Sequence, residues 1–148
     1  MSRVLIAVCM LLFSQAAFAD SGAEVKDLYR RFAAAQNAHD AAAISAELVQ
    51  SPQFLWVSDG KSFWGPEIAI KRMSMFQGSE VWRVVPALDQ ARVVDLDEKS
   101  AFLHMPLELI IGSAAQPDHL HFLVSILCVK NDGQWKIAAL FTTTAKPE

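Results

Sequence analysis

The sequence predicts an α+β fold, with N-terminal helices packed on a curved antiparallel sheet that closes towards a pocket. Three observations carry this. Apolar residues near the start recur at three- and four-residue steps, the period of a helix face. The C-terminal third, residues 101 to 144, reads instead as three extended runs in succession. Asn131-Asp132-Gly133 punctuates the last two of these as a hairpin turn.

The first residues address compartment. Arg3 supplies a short positive region, Val4 to Phe13 an apolar run too short to span a bilayer, and Ala17-Phe18-Ala19 a small-x-small cleavage signal. These predict a signal peptide over residues 1–19, cut after Ala19, and a periplasmic or secreted mature protein. The competing reading is an uncleaved N-terminal anchor. Cys9 lacks the context of a lipid-attachment site. Residues 20–148 then form a single domain, with no internal repeat, linker or second apolar span. Cleavage leaves Cys128 alone, so no intrachain disulfide staples the fold. Its apolar run predicts a buried, inert thiol. The net charge of −3 and the absence of a basic stripe argue against a nucleic-acid partner. After cleavage no membrane association is expected.

In chain order, Val25, Leu28, Phe32, Ala35 and His39 mark one face of a first helix, opposite Lys26, Asp27, Arg30 and Arg31. Asp40 suits the cap of a short second helix, Ala41 to Leu48, which Ser51-Pro52 stops. Phe54 to Val57 is aromatic and β-branched, a short strand. Ser58-Asp59-Gly60-Lys61 is a turn, and Phe63-Trp64 a brief return strand. Pro66 fits the first position of a third helix and Glu67 its N-terminal dipole; Ile70, Met73 and Phe76 mark its buried side and Gly78 its end. Trp82 to Val94 is a long strand candidate that Pro86 bends or interrupts. Asp95 to Glu98 is a turn. Ser100 to Ile111 is the next strand, with an irregularity expected at Pro106. His119 to Lys130 and Gln134 to Thr144 form the final hairpin. The long runs suggest strands with one face against the helices and the other against a partner subunit or partly exposed.

This order resembles the nuclear transport factor two-like superfamily of cystatin-like α+β cones, in particular its SnoaL-like and ketosteroid-isomerase-like branch. The residues that carry the likeness are Tyr29-Arg30-Arg31-Phe32, Ala34 to Asp40, Phe54 to Gly60, Gly65 to Ile70 and Asp132 to Ile137. The resemblance implies a cone with a pocket and a homodimer formed through the sheet. It does not transfer an activity, because the superfamily hosts isomerases, cyclases, dehydratases and subunits without chemistry. Ketosteroid isomerase needs a tyrosine donor in its first helix and an aspartate base. The positions that match here carry Phe32 and Trp56. SnoaL-type relatives place a histidine in the last strand, where this chain has Phe141 and Thr142.

Polar residues inside apolar strands are what is left for catalysis. His104 and Glu108 share a strand face across Pro106, and His121 shares its face with His119, Leu123 and Ser125. A histidine beside a glutamate is a general base with an orienting carboxylate, so His104, Glu108 and His121 are the candidate catalytic residues. The plainer alternative makes them satisfied polar groups or interface residues. His119-x-His121 beside Asp118 lacks a third ligand by spacing, so neither a metal nor another cofactor is expected. Trp56, Trp64 and Trp82, with Phe32 and Phe141, are the candidate ligand-binding residues, walls for an apolar or aromatic small molecule. Trp135 is read as core. Three functions follow: a binding pocket without catalysis, a SnoaL-like isomerase, lyase or hydrolase, and an interaction subunit.

Overall fold

The computed structural model describes residues 21–146. The signal peptide expected over residues 1–19 lies outside the described residues.

Helix α1 spans Ser21–Asn37 and buries Val25, Leu28, Tyr29, Phe32, Ala33, Ala35 and Gln36. The expected periodic face therefore forms, except for His39. That residue lies beyond the helix, exposed and at φ 55°, in the turn into α2 (Ala41–Glu47). Asp40 caps α2 by accepting a hydrogen bond from the Ala43 N–H at 2.9 Å. Strands β1 (Leu55–Ser58) and β2 (Lys61–Trp64) form a hairpin whose two turn residues, Asp59 and Gly60, take φ of 52° and 67°. Helix α3 spans Pro66–Phe76, with Pro66, Ala69 and Met73 buried. Phe76, expected on its buried side, is 39% exposed.

The expected strand from Trp82 to Val94 is two strands, β3 (Val81–Pro86) and β4 (Arg92–Asp97). Both pair with the same edge of β5 (Ser100–Gly112): β4 with its first half, β3 with its second. Of the residues expected as a turn, Asp95 to Glu98, Asp95 and Asp97 are still paired there, with a register shift between them. Pro106 sits at the changeover, and its carbonyl accepts from the Ala87 N–H between the two strands. In an extended strand the N and the C=O of one residue point the same way. The hydrogen missing from Pro106 therefore belongs to the gap, and no ladder bond is lost. Accordingly the expected irregularity is absent from the register, which runs unbroken through Pro106↔Leu123.

Strands β6 (Pro117–Asn131) and β7 (Gln134–Thr144) form the final hairpin, with Asp132 and Gly133 at φ 50° and 77°. Two consecutive positive φ values are the turn that matches the twist of a tight hairpin, which is why an Asp-Gly pair marks it in sequence. The sheet order is β2-β1-β7-β6-β5-β3, with β4 beside β5, and its ends do not meet. All neighbours are antiparallel except β1 and β7. Asn37, at the end of α1, closes the free edge of β3: its side chain accepts from the Val84 N–H at 2.7 Å and donates to the Val84 carbonyl at 2.9 Å.

Burial alternates along the strands. Ala101, Leu103, Met105 and Leu107 are buried on the helix-facing side of β5, while Phe102, His104, Pro106 and Glu108 are half-buried on the other. On β6 the inward residues are Val124, Ile126 and Cys128. Burial pushes the Cys128 thiol up to about 12, so it stays protonated and unreactive.

Candidate functional site

The inner side of the sheet does not pack against helices along its whole length. Between α1, α3, β1, β3, the later halves of β5 and β7 and the first half of β6 lies a cavity of about 950 Å³. That is within the range of about 300–1,000 Å³ in which small-molecule sites fall.

Three of the five expected ligand-binding residues line the cavity: Phe32 from α1, Trp56 from β1 and Trp82 from β3. Phe32 is fully enclosed and meets Tyr29 edge-on, with ring centroids 5.7 Å apart. Trp56 is anchored, its indole N–H donating to the Thr142 hydroxyl at 3.1 Å. The other two expected residues do not reach the cavity. Phe141 pairs with Ser125 and Val57 on the outer face, 40% exposed, and Thr142 takes the inward place beside it. Trp64 pairs with Leu55 outward, 53% exposed, and Phe63 turns inward instead.

The expected catalytic residues are corrected by the same parity. Leu103, Met105 and Leu107 face the core, so His104 and Glu108 face away from it and neither lines the cavity. His104 Nδ1 lies 2.9 Å from the Ser125 hydroxyl, and its ring stacks on Phe102. Glu108 meets His119, not His104 or His121, at 2.7 Å. His121 stands opposite Glu108 in the ladder, also outward, and reaches only the cavity's rim. The strands bring these residues onto one surface, of which only His121 touches the edge of the cavity.

Beyond Trp82 and the rim residue His121, the polar groups at the cavity were not singled out from the sequence. Arg72, one turn before Phe76 on α3, holds its guanidinium over the rings of Phe63 at 4.3 Å, Phe76 at 5.0 Å and Trp56 at 5.9 Å. Its Nε is shut off from solvent and makes no hydrogen bond; the same is true of the Trp82 indole N–H. Tyr29 and Gln36, on the buried face of α1, add a phenol and an amide. Burial raises the Tyr29 pKa above its ordinary value of 10.0, so the phenol stays protonated. Asp59 is the only carboxylate among the described residues at this cavity, and it is exposed in the β1–β2 turn. A signal for these groups did exist. Ala69, Arg72, Met73 and Phe76 fall at helical spacing, so Arg72 is a cation on an apolar face. Gln36 continues the stripe of Val25, Tyr29 and Phe32.

Residues 25–140 match the model of a family described as the SnoaL-like domain. A search among curated proteins returned no match. Among solved structures, the chain is similar to a protein from Novosphingobium aromaticivorans provisionally named a scytalone dehydratase. The TM-score is 0.78 at 12% identity, over 90% of this chain and 89% of that one. It is similar to a type 2 hexachlorocyclohexane dehydrochlorinase, with TM-score 0.77 and 14% identity over 90% of each chain. A Mycobacterium tuberculosis protein of unknown function aligns with TM-score 0.74 and 16% identity, over 84% of this chain and 76% of that one. At these identities the likeness is one of fold.

Proposed function

The chain belongs to the SnoaL-like domain family, within the nuclear transport factor two-like superfamily of cystatin-like cones, and from that premise we propose that it binds a small apolar or aromatic molecule in its cone. The observation that carries this reading is the cavity walled by Phe32, Trp56 and Trp82. Aromatic walls with a few convergent polar groups are the usual make-up of a small-molecule site. Trp56 and Trp82 report directly on occupancy, whereas Trp64 and Trp135 lie off the cavity. Titrating a panel of hydrophobic ligands is expected to give a saturable change in tryptophan fluorescence, absent when Trp56 and Trp82 are both replaced by Phe. Silence across the panel would count decisively against the reading.

The names of two structural neighbours, a dehydratase and a dehydrochlorinase, suggest elimination chemistry as the enzymatic alternative. A base within reach of the ligand is required for that. His104 and Glu108 do not line the cavity, and His119, His121 and Asp59 stand at its rim.

We also propose a homodimer through the outer face of the sheet, and a mature periplasmic or secreted protein cut after Ala19. Trp64, Val94, Leu123 and Phe141 leave that face unusually apolar, each more than a third exposed. Protein recovered from the periplasm or medium is expected to have an intact mass lacking residues 1–19. Light scattering should give twice that mass for the wild type and a single-chain mass for Leu123→Asp. An uncut chain, or a wild-type monomer at high concentration, would refute the corresponding proposal.

A further inference from the structure

Every buried polar group at the cavity is a donor or carries one. Arg72 and the Trp82 indole can only donate. Tyr29, held protonated by burial, has a hydroxyl hydrogen to give, and Gln36 has an amide. Among the described residues no carboxylate pairs with Arg72; its neighbours are the faces of Phe63, Phe76 and Trp56. Ring faces attract a cation but accept none of its N–H bonds along the guanidinium plane. A buried donor without an acceptor is a standing cost to the fold, and such orphans are rare in native proteins. Here two of them, the Nε of Arg72 and the Nε1 of Trp82, flank a single ring. Phe76 lies 5.0 Å from the guanidinium and stacks on Trp82 at 6.4 Å.

From this arrangement we infer that the cavity's occupant is an apolar or aromatic carboxylate, its anionic oxygens held by the Arg72 guanidinium and its body against Phe32, Trp56 and Trp82. The inference rests on the reading that the cavity binds a small molecule, and specifies the class. A guanidinium presents its N–H groups as a planar fork that matches a carboxylate, and the three rings hold it in place before the ligand arrives. Among the described residues, no rim carboxylate forms an ion pair with Arg72. Asp59 is exposed in its turn, and His119, His121 and Lys146 are neutral or positive. A cationic ligand would meet Arg72 without a partner for its own charge. A purely hydrocarbon ligand would leave both orphaned donors buried and unsatisfied.

The test compares 1-naphthoate with its neutral counterpart 1-naphthamide by titration calorimetry on the purified protein. Wild type is expected to bind naphthoate at least about tenfold more tightly, the factor that one charge-assisted hydrogen bond supplies. Arg72→Met should abolish that preference, weakening naphthoate at least about tenfold more than naphthamide. Its melting temperature should fall little, because the lost ring contacts are offset by removal of the buried, unpaired Nε. Arg72→Lys keeps the charge without the fork and should retain a reduced preference; it carries the test if the Met variant fails to fold. Equal affinity of the two probes in wild type, or a preference that survives Arg72→Met, overturns the carboxylate inference but leaves cavity binding standing. If neither probe binds wild type, both readings fall together.

Discussion

Replacing Phe32 by Ala is expected to remove about 3–5 kcal/mol of stability, the range for truncating a buried aromatic side chain. Phe32 is fully enclosed and lies edge-on to Tyr29. It forms part of the cavity wall, so the space it vacates joins an existing void that water can enter. That favours the lower end of the range. Phe32→Leu, which keeps most of the volume, should lose less than about 1.5 kcal/mol. Urea unfolding reads both effects as shifts in midpoint at constant slope. A loss below about 1 kcal/mol for Phe32→Ala would mean that the ring is not packed as described. The same substitution should enlarge the site and shift its preference towards bulkier ligands.

Trp135→Ala is expected to be equally damaging, about 3–5 kcal/mol, for a different reason. Trp135 is 6% exposed under the start of α1, and its indole N–H donates to Glu24 at 2.7 Å. Lys130 donates to the same carboxylate at 3.2 Å, so Glu24 ties the first turn of α1 to the last hairpin. Trp135→Phe separates the two contributions, keeping most of the bulk and losing the N–H. The hydrogen bond from Trp135, more than that from Lys130, holds the Glu24 carboxyl below its ordinary value of 4.5. A depressed folded pKa means that the stabilisation is present above the unfolded value and is lost as pH falls through the folded one. The Phe variant should therefore show a weaker loss of stability on acidification below about pH 4.5 than wild type. Identical pH profiles for the two proteins would show that the indole N–H does not support Glu24.

Much of this was legible in the residues, and the failures have physical causes. Helices and hairpins are local, so the stripe from Val25 to Ala35, the cap at Asp40 and the turn at Asp132-Gly133 announce themselves. The division at Pro86 is not local: it depends on β5 being long enough to pair with two strands in turn. Strand parity was also legible, since His104 and Glu108 do share a face. Which face points inward is decided by packing across the chain. The alternation of Leu103, Met105 and Leu107 with His104, Pro106 and Glu108 already pointed to it. Phe141 and Thr142 mislead for the opposite reason. The inward side there borders a cavity that accepts a hydroxyl, and the outward side is an apolar surface, so the usual assignment inverts. Arg72 escaped because a single cation on a short helix reads as solvent-facing until three aromatic rings from separate elements are seen to surround it.

The place of β7 sets an order of events. It is the last strand among the described residues, yet it lies inside the sheet, antiparallel to β6 on one side and parallel to β1 on the other. The hydrogen bond from Trp56 to Thr142 closes a separation of 86 residues. Loop closure on that scale is paid in entropy before any contact repays it, and parallel pairing between distant segments slows folding. Until β7 arrives, the β1–β2 hairpin has no neighbour in the sheet, and Phe32 and Trp56 have only part of their surroundings. A chain still emerging from the ribosome, or cut short before Gln134, therefore carries two incomplete half-sheets with apolar surfaces in water. Completion of the cone waits on the final strand, which makes the unfinished chain, more than the folded protein, the form at risk of aggregation.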